Sequence, residues 1–112
     1  MLPKKNRVSK MEFGEIFKGG KRYNSEHFLL YLAKNKDKLQ KFSFSVSKKV
    51  CPKAVQRNKL RRRGYSAISK IVKSMIDGNS GLFVIKKNFS KMSFKALEEE
   101  ITSLLLKAGV LI

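Results

Sequence analysis

A basic segment from Ser45 to Arg63 is the part of the sequence best suited to binding chemistry. No Asp or Glu occurs from Gln40 to Ile76 to neutralise its charge. Arginine presents a planar fork of N–H donors that matches a phosphate group, and the Asn58 amide can add a further contact. The segment therefore indicates binding to a phosphate backbone. Its cations are Lys48, Lys49, Lys53, Arg57, Lys59, Arg61, Arg62 and Arg63.

The simplest alternative is that this charge only keeps one face of a helix solvated. Two features argue against it. No acidic residue lies four positions away to offset the repulsion, and the positive end of a helix dipole disfavours cations. The arrangement costs stability, and a bound polyanion would compensate for that cost.

A second group of side chains could bind the bases of single-stranded RNA. Phe13 and Phe17 are one helical turn apart, while Tyr31, Ser45 and Ser47 belong to the polar side of two predicted strands. Aromatic rings stack on bases whatever their sequence, and nearby hydroxyls and amines bind the backbone. The pattern leaves open the other interpretation, in which both phenylalanines pack in the core.

Few residues could support catalysis by the protein itself. His27 and Cys51 lack a second His or a flanking motif, so we expect structural or surface roles for them. Glu98, Glu99 and Glu100 are consecutive on a predicted helix and spread around it, which favours a solvated face over a metal site. We expect no catalytic residue, no metal site and no small-molecule substrate.

The composition of the whole chain agrees with a nucleic-acid partner. Its 112 residues include 26 Lys and Arg against 8 Asp and Glu, which leaves a net charge of +18. The hydrophobic fraction of 42% suffices for one folded domain, which we place at residues 1–112 with an arm at 1–8. The absence of an apolar span, of a signal-like amino end and of a second cysteine favours a cytoplasmic protein without a membrane partner.

Three helices are predicted. A capping box at Ser9 and Glu12 begins the first, and Gly19-Gly20 ends it. A long helix from Lys53 to Met75 follows from apolar residues at three- and four-residue intervals. On it, Asn58, Lys59, Arg62 and Arg63 point away from the apolar stripe, and Arg57 and Arg61 lie at its edge. Ser93 caps the last helix, which ends at Gly109.

Strands are predicted at Glu26–Ala33, Lys41–Ser47 and Leu82–Ile85. The first two alternate between an apolar and a more polar side, and we expect them to form a hairpin across residues 35–37. The third is apolar throughout, which suits a strand buried on both faces. Helices and strands in this order predict a single-domain α+β sandwich with a small, mostly antiparallel sheet.

These motifs together resemble the protein component of bacterial ribonuclease P. The family's signature is a Ser-Val-Ser-Lys-Lys strand end followed by an Arg-Asn-Arg helix start, which stand here as residues 45–49 and Arg57-Asn58-Lys59. Supporting matches, spread over nearly the whole chain, are Asn6-Arg7, Glu12-Phe13, Ile16-Phe17, Phe28-Leu29-Leu30-Tyr31 and Ser93-Phe94.

The resemblance implies an endoribonuclease subunit that does not cut RNA itself. The RNA subunit would hold the catalytic Mg²⁺ ions and release the 5′ leader of precursor tRNA, while the protein binds both RNAs. The cations of the basic segment and Asn58 would contact the RNA subunit. The leader would lie against Phe13, Phe17, Tyr31, Ser45 and Ser47. The implied fold resembles domain 2 of ribosomal protein S5 and has a left-handed βαβ crossover.

Three positions depart from the family pattern. Lys59 replaces an arginine, which keeps the charge but loses the planar fork. Gly64 and Tyr65 replace a helix-forming and a basic residue, and Gly64 weakens a helix by about 1 kcal/mol relative to Ala. We expect Gly64 to allow close approach of either the sheet or an RNA backbone.

Two other functions can be derived from the same residues. A structural RNA-binding protein of ribosomal type would share the charge but would have no role in tRNA processing. A protein-only nuclease would need a carboxylate or histidine cluster, and the sequence offers none.

Overall fold

A computed structural model describes residues 20–35, 39–76 and 78–110. They form strands β1 (Lys21–Asn24), β2 (Phe28–Lys34) and β3 (Lys41–Val46), helix α1 (Ala54–Ile71), strand β4 (Asn79–Ile85) and helix α2 (Phe94–Lys107). A short 3₁₀ helix, Val72–Ser74, extends α1. The predicted amino-terminal arm and helix, with Phe13 and Phe17, lie outside the described residues.

The four strands form one mixed sheet in the order β1-β2-β4-β3. The pairs β1–β2 and β2–β4 are antiparallel, whereas β3 and β4 are parallel. Because α1 lies between β3 and β4 in sequence, these elements form a βαβ unit. The prediction of an α+β domain with a mostly antiparallel sheet is confirmed at this level.

The predicted hairpin between β2 and β3 is wrong, because β4 lies between the two strands. The reason is the burial of β4 on both faces. Leu82 is 2% exposed on one face and Phe83 is fully buried on the other. A strand that is apolar on both faces is protected only at the centre of the sheet, so β2 and β3 pair with it from either side.

Strand β1 was not predicted from the sequence. Its residues are polar apart from Tyr23, which packs against the core. The strand occupies the edge of the sheet, where its other side chains are exposed to solvent. An edge strand needs only one apolar contact and therefore carries almost no alternating pattern.

Both helices pack on one face of the sheet, and the hydrophobic core lies between the helices and that face. The alternation predicted for β2 and β3 places the correct residues there: Phe28, Leu30, Leu32, Phe42, Phe44 and Val46. The Phe44 ring stacks on Phe83 with 4.8 Å between centroids. The cap of α2 is also as predicted, since Ser93 Oγ accepts a hydrogen bond from the Ala96 backbone N–H at 3.1 Å.

Gly64 and Tyr65, two departures from the family pattern, both serve the core. A Cβ at Gly64 would lie 2.6 Å from the Phe44 ring, so the close approach expected at this glycine is to the sheet. Tyr65 is 7% exposed and meets Phe44 edge-on at 5.1 Å. Its hydroxyl accepts a hydrogen bond from the Phe44 backbone N–H at 3.4 Å, which shields the outer side of edge strand β3.

Glu100 ties helix α2 to the turn between β1 and β2. One carboxylate oxygen accepts hydrogen bonds from Ser25 Oγ at 2.5 Å and from the His27 backbone N–H at 2.9 Å. The other lies 2.7 Å from His27 Nδ1. Burial alone would raise the pKa of this carboxyl, but these hydrogen bonds outweigh it and the pKa of Glu100 lies below its ordinary value.

The prediction of a solvated acidic face is therefore wrong for Glu100. It holds for Glu99, which is exposed, while Glu98 lies 3.5 Å from Lys70. The partners of Glu100 are 73 and 75 residues away along the chain. Helical periodicity relates only residues within the same helix, so it could not predict these contacts. His27 and Cys51 have the structural roles expected of them, since His27 binds Glu100 and Cys51 is 1% exposed.

Candidate nucleic-acid interface

The face of the sheet opposite the two helices carries two of the three predicted leader-contacting residues that the structure describes. Tyr31 is half-buried and Ser45 is exposed on this second face. In the strand register, Tyr31 lies opposite Leu82, and Leu82 lies opposite Ser43. Ser45 is two residues beyond Ser43, so strand spacing and rise put roughly 12 Å between Tyr31 and Ser45. They line one surface without touching each other.

Ser47 has a structural role that was not predicted from the sequence. It begins the turn after β3, where its carbonyl accepts from the backbone N–H groups of Val50 and Cys51 at 3.2 and 3.1 Å. Its hydroxyl also accepts from the Val50 N–H at 3.4 Å. This turn leaves Lys48 and Lys49 exposed at the end of the sheet.

Helix α1 begins with an unusual concentration of positive charge. Lys53 occupies the N-cap without a side-chain capping bond, and the first turn contains no acidic residue. The Arg57 guanidinium donates to the carbonyls of Cys51 and Pro52 at 3.1 and 2.7 Å, which fastens the turn to the helix. Arg61 donates to the Asn58 side-chain oxygen. The preceding loop and the helix start thus form one connected unit.

Lys59 and Arg62 are the most available cations of the helix. Both are exposed, as predicted, and neither pairs with an acidic residue within the described ranges. Arg57 and Arg61 are partly buried, in agreement with their predicted place at the edge of the apolar stripe. These four side chains project from the first three turns of α1, and Arg57 binds the turn that precedes the helix.

Arg63 is less exposed than the prediction implies. Its guanidinium faces the loop after β4 and donates to the carbonyls of Phe89 at 3.0 Å, Ser90 at 3.3 Å and Met92 at 2.5 Å. It also lies 5.8 Å from the centre of the Phe89 ring. Arg63 was predicted to point away from the apolar stripe of the helix, and the structure shows that the side chain is nevertheless half-buried, because this loop covers that side of α1.

The loop after β4 adds cations that were not predicted from the sequence to belong to the site. Because β3 and β4 are parallel and end together at Val46 and Ile85, the loops that follow them lie at the same end of the sheet. Lys86, Lys87 and Lys91 thereby join the basic segment. These lysines could not be assigned to the site from the sequence, because the predicted hairpin did not pair β3 with β4 and so did not place the two loops at the same end of the sheet.

We call this end of the molecule the basic end and define it as residues 47–63 together with 86–92. Neither segment contains an Asp or Glu, Glu98 of α2 pairs with Lys70 of α1, and Glu100 is bound by Ser25 and His27 of the β1–β2 turn. Among residues 20–35, 39–76 and 78–110, no group of three His, Cys, Asp or Glu side chains could hold a metal ion. Nor does a helix of these ranges have the length and apolar character needed to cross a membrane.

A small α+β domain with an aromatic and hydroxyl-bearing sheet face beside a dense basic end defines a protein suited to binding a nucleic-acid backbone. Comparison with known proteins gives the family. The family model for ribonuclease P matches residues 2–109, and the chain belongs to this family. The resemblance drawn from the motifs is therefore confirmed. Membership implies an RNA partner and a part in tRNA processing.

Individual relatives match over almost their full length. The ribonuclease P protein component of Clostridium botulinum strain Loch Maree is 31% identical over 109 residues, which cover 96% of this chain and 97% of that protein. The corresponding protein of Rippkaea orientalis is 31% identical over 116 residues, with 98% and 91% covered.

Solved structures show the same fold. The RNase P protein of Staphylococcus aureus superposes with a TM-score of 0.80 at 26% identity, covering 96% of this chain and 98% of that one. The RNase P protein of Thermotoga maritima gives 0.80 at 25% identity, covering 90% and 96%.

Proposed function

We propose that this chain is the RNA-binding subunit of ribonuclease P, and that the RNA subunit performs the cleavage that removes the 5′ leader from precursor tRNA. The observation that carries the proposal is the basic end. Exposed cations surround the start of α1 there, and residues 47–63 and 86–92 include no Asp or Glu. The Ser25 hydroxyl and the His27 imidazole do meet at Glu100, but both are bound to its carboxylate, where they hold α2 against the β1–β2 turn. We therefore assign binding to this chain and cleavage to the RNA subunit.

The RNA subunit is the proposed partner of the basic end. Lys48, Lys49, Lys53, Lys59 and Arg62 are exposed there and can reach phosphate groups. Arg57 and Asn58 hold the turn and the first helical turns in place, as their hydrogen bonds show. Their remaining donors can still meet phosphates, so they act both as contacts and as supports.

The leader of precursor tRNA is the proposed partner of the second face of the sheet. Tyr31 offers a ring for stacking, and the exposed hydroxyls of Ser45 and Ser47 offer hydrogen bonds to the backbone. The proposal includes Phe13 and Phe17 on the resemblance alone. This surface adjoins the basic end through Ser47 and Lys48, so one RNA complex can occupy both.

Magnesium belongs with the RNA subunit in this proposal. Among the described residues no three His, Cys, Asp or Glu side chains come together to hold a metal ion, Glu100 is engaged by Ser25 and His27, and Glu98 pairs with Lys70. We therefore assign no step of the reaction to a metal held by this chain.

Three further features are proposed from the resemblance. They are a third helix at the amino end, a left-handed βα1β crossover like that of ribosomal protein S5 domain 2, and a location in the cytoplasm. The parallel β3–β4 pair joined through α1 supports the crossover, since it supplies the βαβ unit in which handedness is defined.

The proposed function is tested by reconstitution. The protein is mixed with a bacterial ribonuclease P RNA and precursor tRNA at low Mg²⁺, and release of the leader is measured. We expect faster release with protein than with RNA alone, and no cleavage by the protein alone. No gain in leader release would overturn the proposal, and cleavage without the RNA would identify a protein-only nuclease.

A second comparison separates substrate recognition from general RNA binding. Affinity of the reconstituted complex is measured for tRNA with and without its leader. We expect tighter binding of the leader-bearing form, and Tyr31→Ala should remove part of that preference. Equal affinities would instead support a structural RNA-binding protein of ribosomal type.

A further inference from the structure

A donor-rich groove lies between α1, which carries the Arg57-Asn58-Lys59 motif, and the loop after β4, which belongs to no family motif quoted above. Its volume is about 380 Å³. One wall is formed by Gln56, Lys59 and Arg63 of α1 and the other by Asn88 and Ser90 of the loop, with Leu60 at its base. Ammonium, amide and hydroxyl groups thus surround the groove, and none of the described residues that line it is acidic.

Arg63 fixes the position of the loop. Its three hydrogen bonds go to loop carbonyls, and its guanidinium lies beside the Phe89 ring. Phe89 is itself 1% exposed and packs 5.3 Å from the Phe28 ring in the core. The loop is therefore held from both sides, by the core below it and by α1 beside it.

The rest of the loop carries hydrogen-bond donors that the described residues do not use. Asn88 accepts the Ser90 N–H with its side-chain oxygen at 2.8 Å, which leaves its amide nitrogen without a hydrogen bond to the described residues. Lys87 and Lys91 flank this turn, are exposed, and form no ion pair with the acids that the structure describes. Lys86 differs, since its Nζ donates to Asn24 at 3.0 Å.

We propose that this groove binds the sugar-phosphate backbone of the catalytic RNA, with Lys59 and Asn88 inside it and Lys87 and Lys91 at its rim. Arg63 acts as a positioning residue that holds the loop in place, not as a phosphate contact. The RNA subunit is the favoured occupant because the groove is continuous with the exposed cations of α1. This inference rests on the proposed function and extends it to a second chain segment.

The first test compares two double variants that remove equal charge. Lys87→Ala/Lys91→Ala removes two cations from the rim, whereas Lys73→Ala/Lys107→Ala removes two exposed cations from the opposite end of α1 and of α2. Affinity for a bacterial ribonuclease P RNA is measured from low to high salt. The rim variant should bind about tenfold more weakly and lower the salt slope by about 2, since each phosphate contact contributes roughly 0.9. The control pair should keep the wild-type slope.

The second test isolates the role of Arg63. Arg63→Lys keeps the charge but cannot bind three loop carbonyls as a fork, so it should weaken binding by letting the loop move. The same change made in the Lys87→Ala/Lys91→Ala background should add little, because the two sets act through one element. Thermal unfolding of each variant checks that the fold persists, and the rim variant, which touches no core residue, tests the groove even if Arg63→Lys does not fold.

The outcomes separate this inference from the proposed function. If Lys53→Ala/Arg62→Ala, which changes two exposed cations outside the groove, weakens binding but the rim variant matches its control, the groove proposal is overturned and the proposed function stands. If the wild-type protein does not bind the RNA, the proposed function itself fails. A rim variant that loses affinity only for precursor tRNA would assign the groove to substrate and overturn its assignment to the RNA subunit. Additive effects of Arg63→Lys and the rim changes would overturn the positioning role.

Discussion

Gly64 decides how closely α1 approaches the sheet. The helix would gain from a residue with a side chain here, since glycine costs about 1 kcal/mol relative to alanine. The Phe44 ring fills the space that a Cβ would need, and it is itself stacked on Phe83. A local cost in the helix thus permits a close aromatic contact in the core.

Gly64→Ala should destabilise the protein in spite of its better helix propensity. A Cβ at 2.6 Å from Phe44 forces the ring or the helix to move, and overpacking of this kind costs about 1 to 3 kcal/mol. Urea unfolding measures the effect. In a Phe44→Leu background the same change should be nearly neutral, and an equal loss in both backgrounds would show that the ring is not the cause.

Glu100 gives the protein a specific sensitivity to acid. Its pKa is lowered in the folded state from the ordinary value of 4.5, so its stabilising effect is complete above that value and is lost as the pH falls through the folded-state pKa. Glu100→Gln should cost about 1 to 3 kcal/mol at neutral pH because hydrogen bonds to a charged acceptor are lost. Urea midpoints between pH 7 and acid should then converge for the two proteins. A constant difference across this range would contradict the assignment.

At the scale of elements, α1 begins in a way that sacrifices helix stability. Its N-cap is Lys53, with no side-chain capping bond, and cations follow where the helix dipole favours anions. A helix selected only for stability would begin with Ser, Thr, Asp or Asn. Phosphate groups bound at this helix start would compensate for the cost, since they interact favourably with the cations and with the positive end of the helix dipole.

Lys53→Ser should therefore stabilise the free protein and weaken its complex with RNA. A serine N-cap contributes about 1 kcal/mol, which urea unfolding would detect. Loss of one phosphate contact should lower the salt slope of RNA binding by about 1. Lys53→Ala serves as the matched control, since it removes the same charge without providing a cap. If both variants unfold alike, the missing cap has no energetic role.

The individual helices and strands could be predicted from the sequence, but which of them lie next to each other in the fold could not. The alternation of Phe42 and Phe44 and the cap at Ser93 act over a few residues, and both predictions are confirmed. The position of β4 between β2 and β3 depends on pairing among distant segments. For the same reason the sequence could not show that Arg63 binds a loop 26 to 29 residues away, or that this loop completes the basic end.

At the scale of the whole molecule, folding leaves the repulsion among the cations uncompensated. A net charge of +18 is brought into a compact domain with a radius of gyration of 13.0 Å. In the unfolded chain the same cations are farther apart, so their repulsion opposes folding. The hydrophobic core must offset this repulsion in the free protein, and a bound polyanion would remove part of it.

Stability of the free protein should consequently rise with salt. Raising NaCl from about 0.02 to about 0.5 M shortens the screening length well below the size of the domain, so the urea midpoint at neutral pH should increase. Lys73→Ala/Lys107→Ala should raise the midpoint at low salt and respond less to added salt, because two of the repelling charges are gone. A short RNA at the same ionic strength should stabilise the protein further, since the clustered cations of the folded basic end bind it more tightly than the unfolded chain does. A midpoint that is independent of salt in wild type and variant would show that repulsion within the domain does not limit its stability.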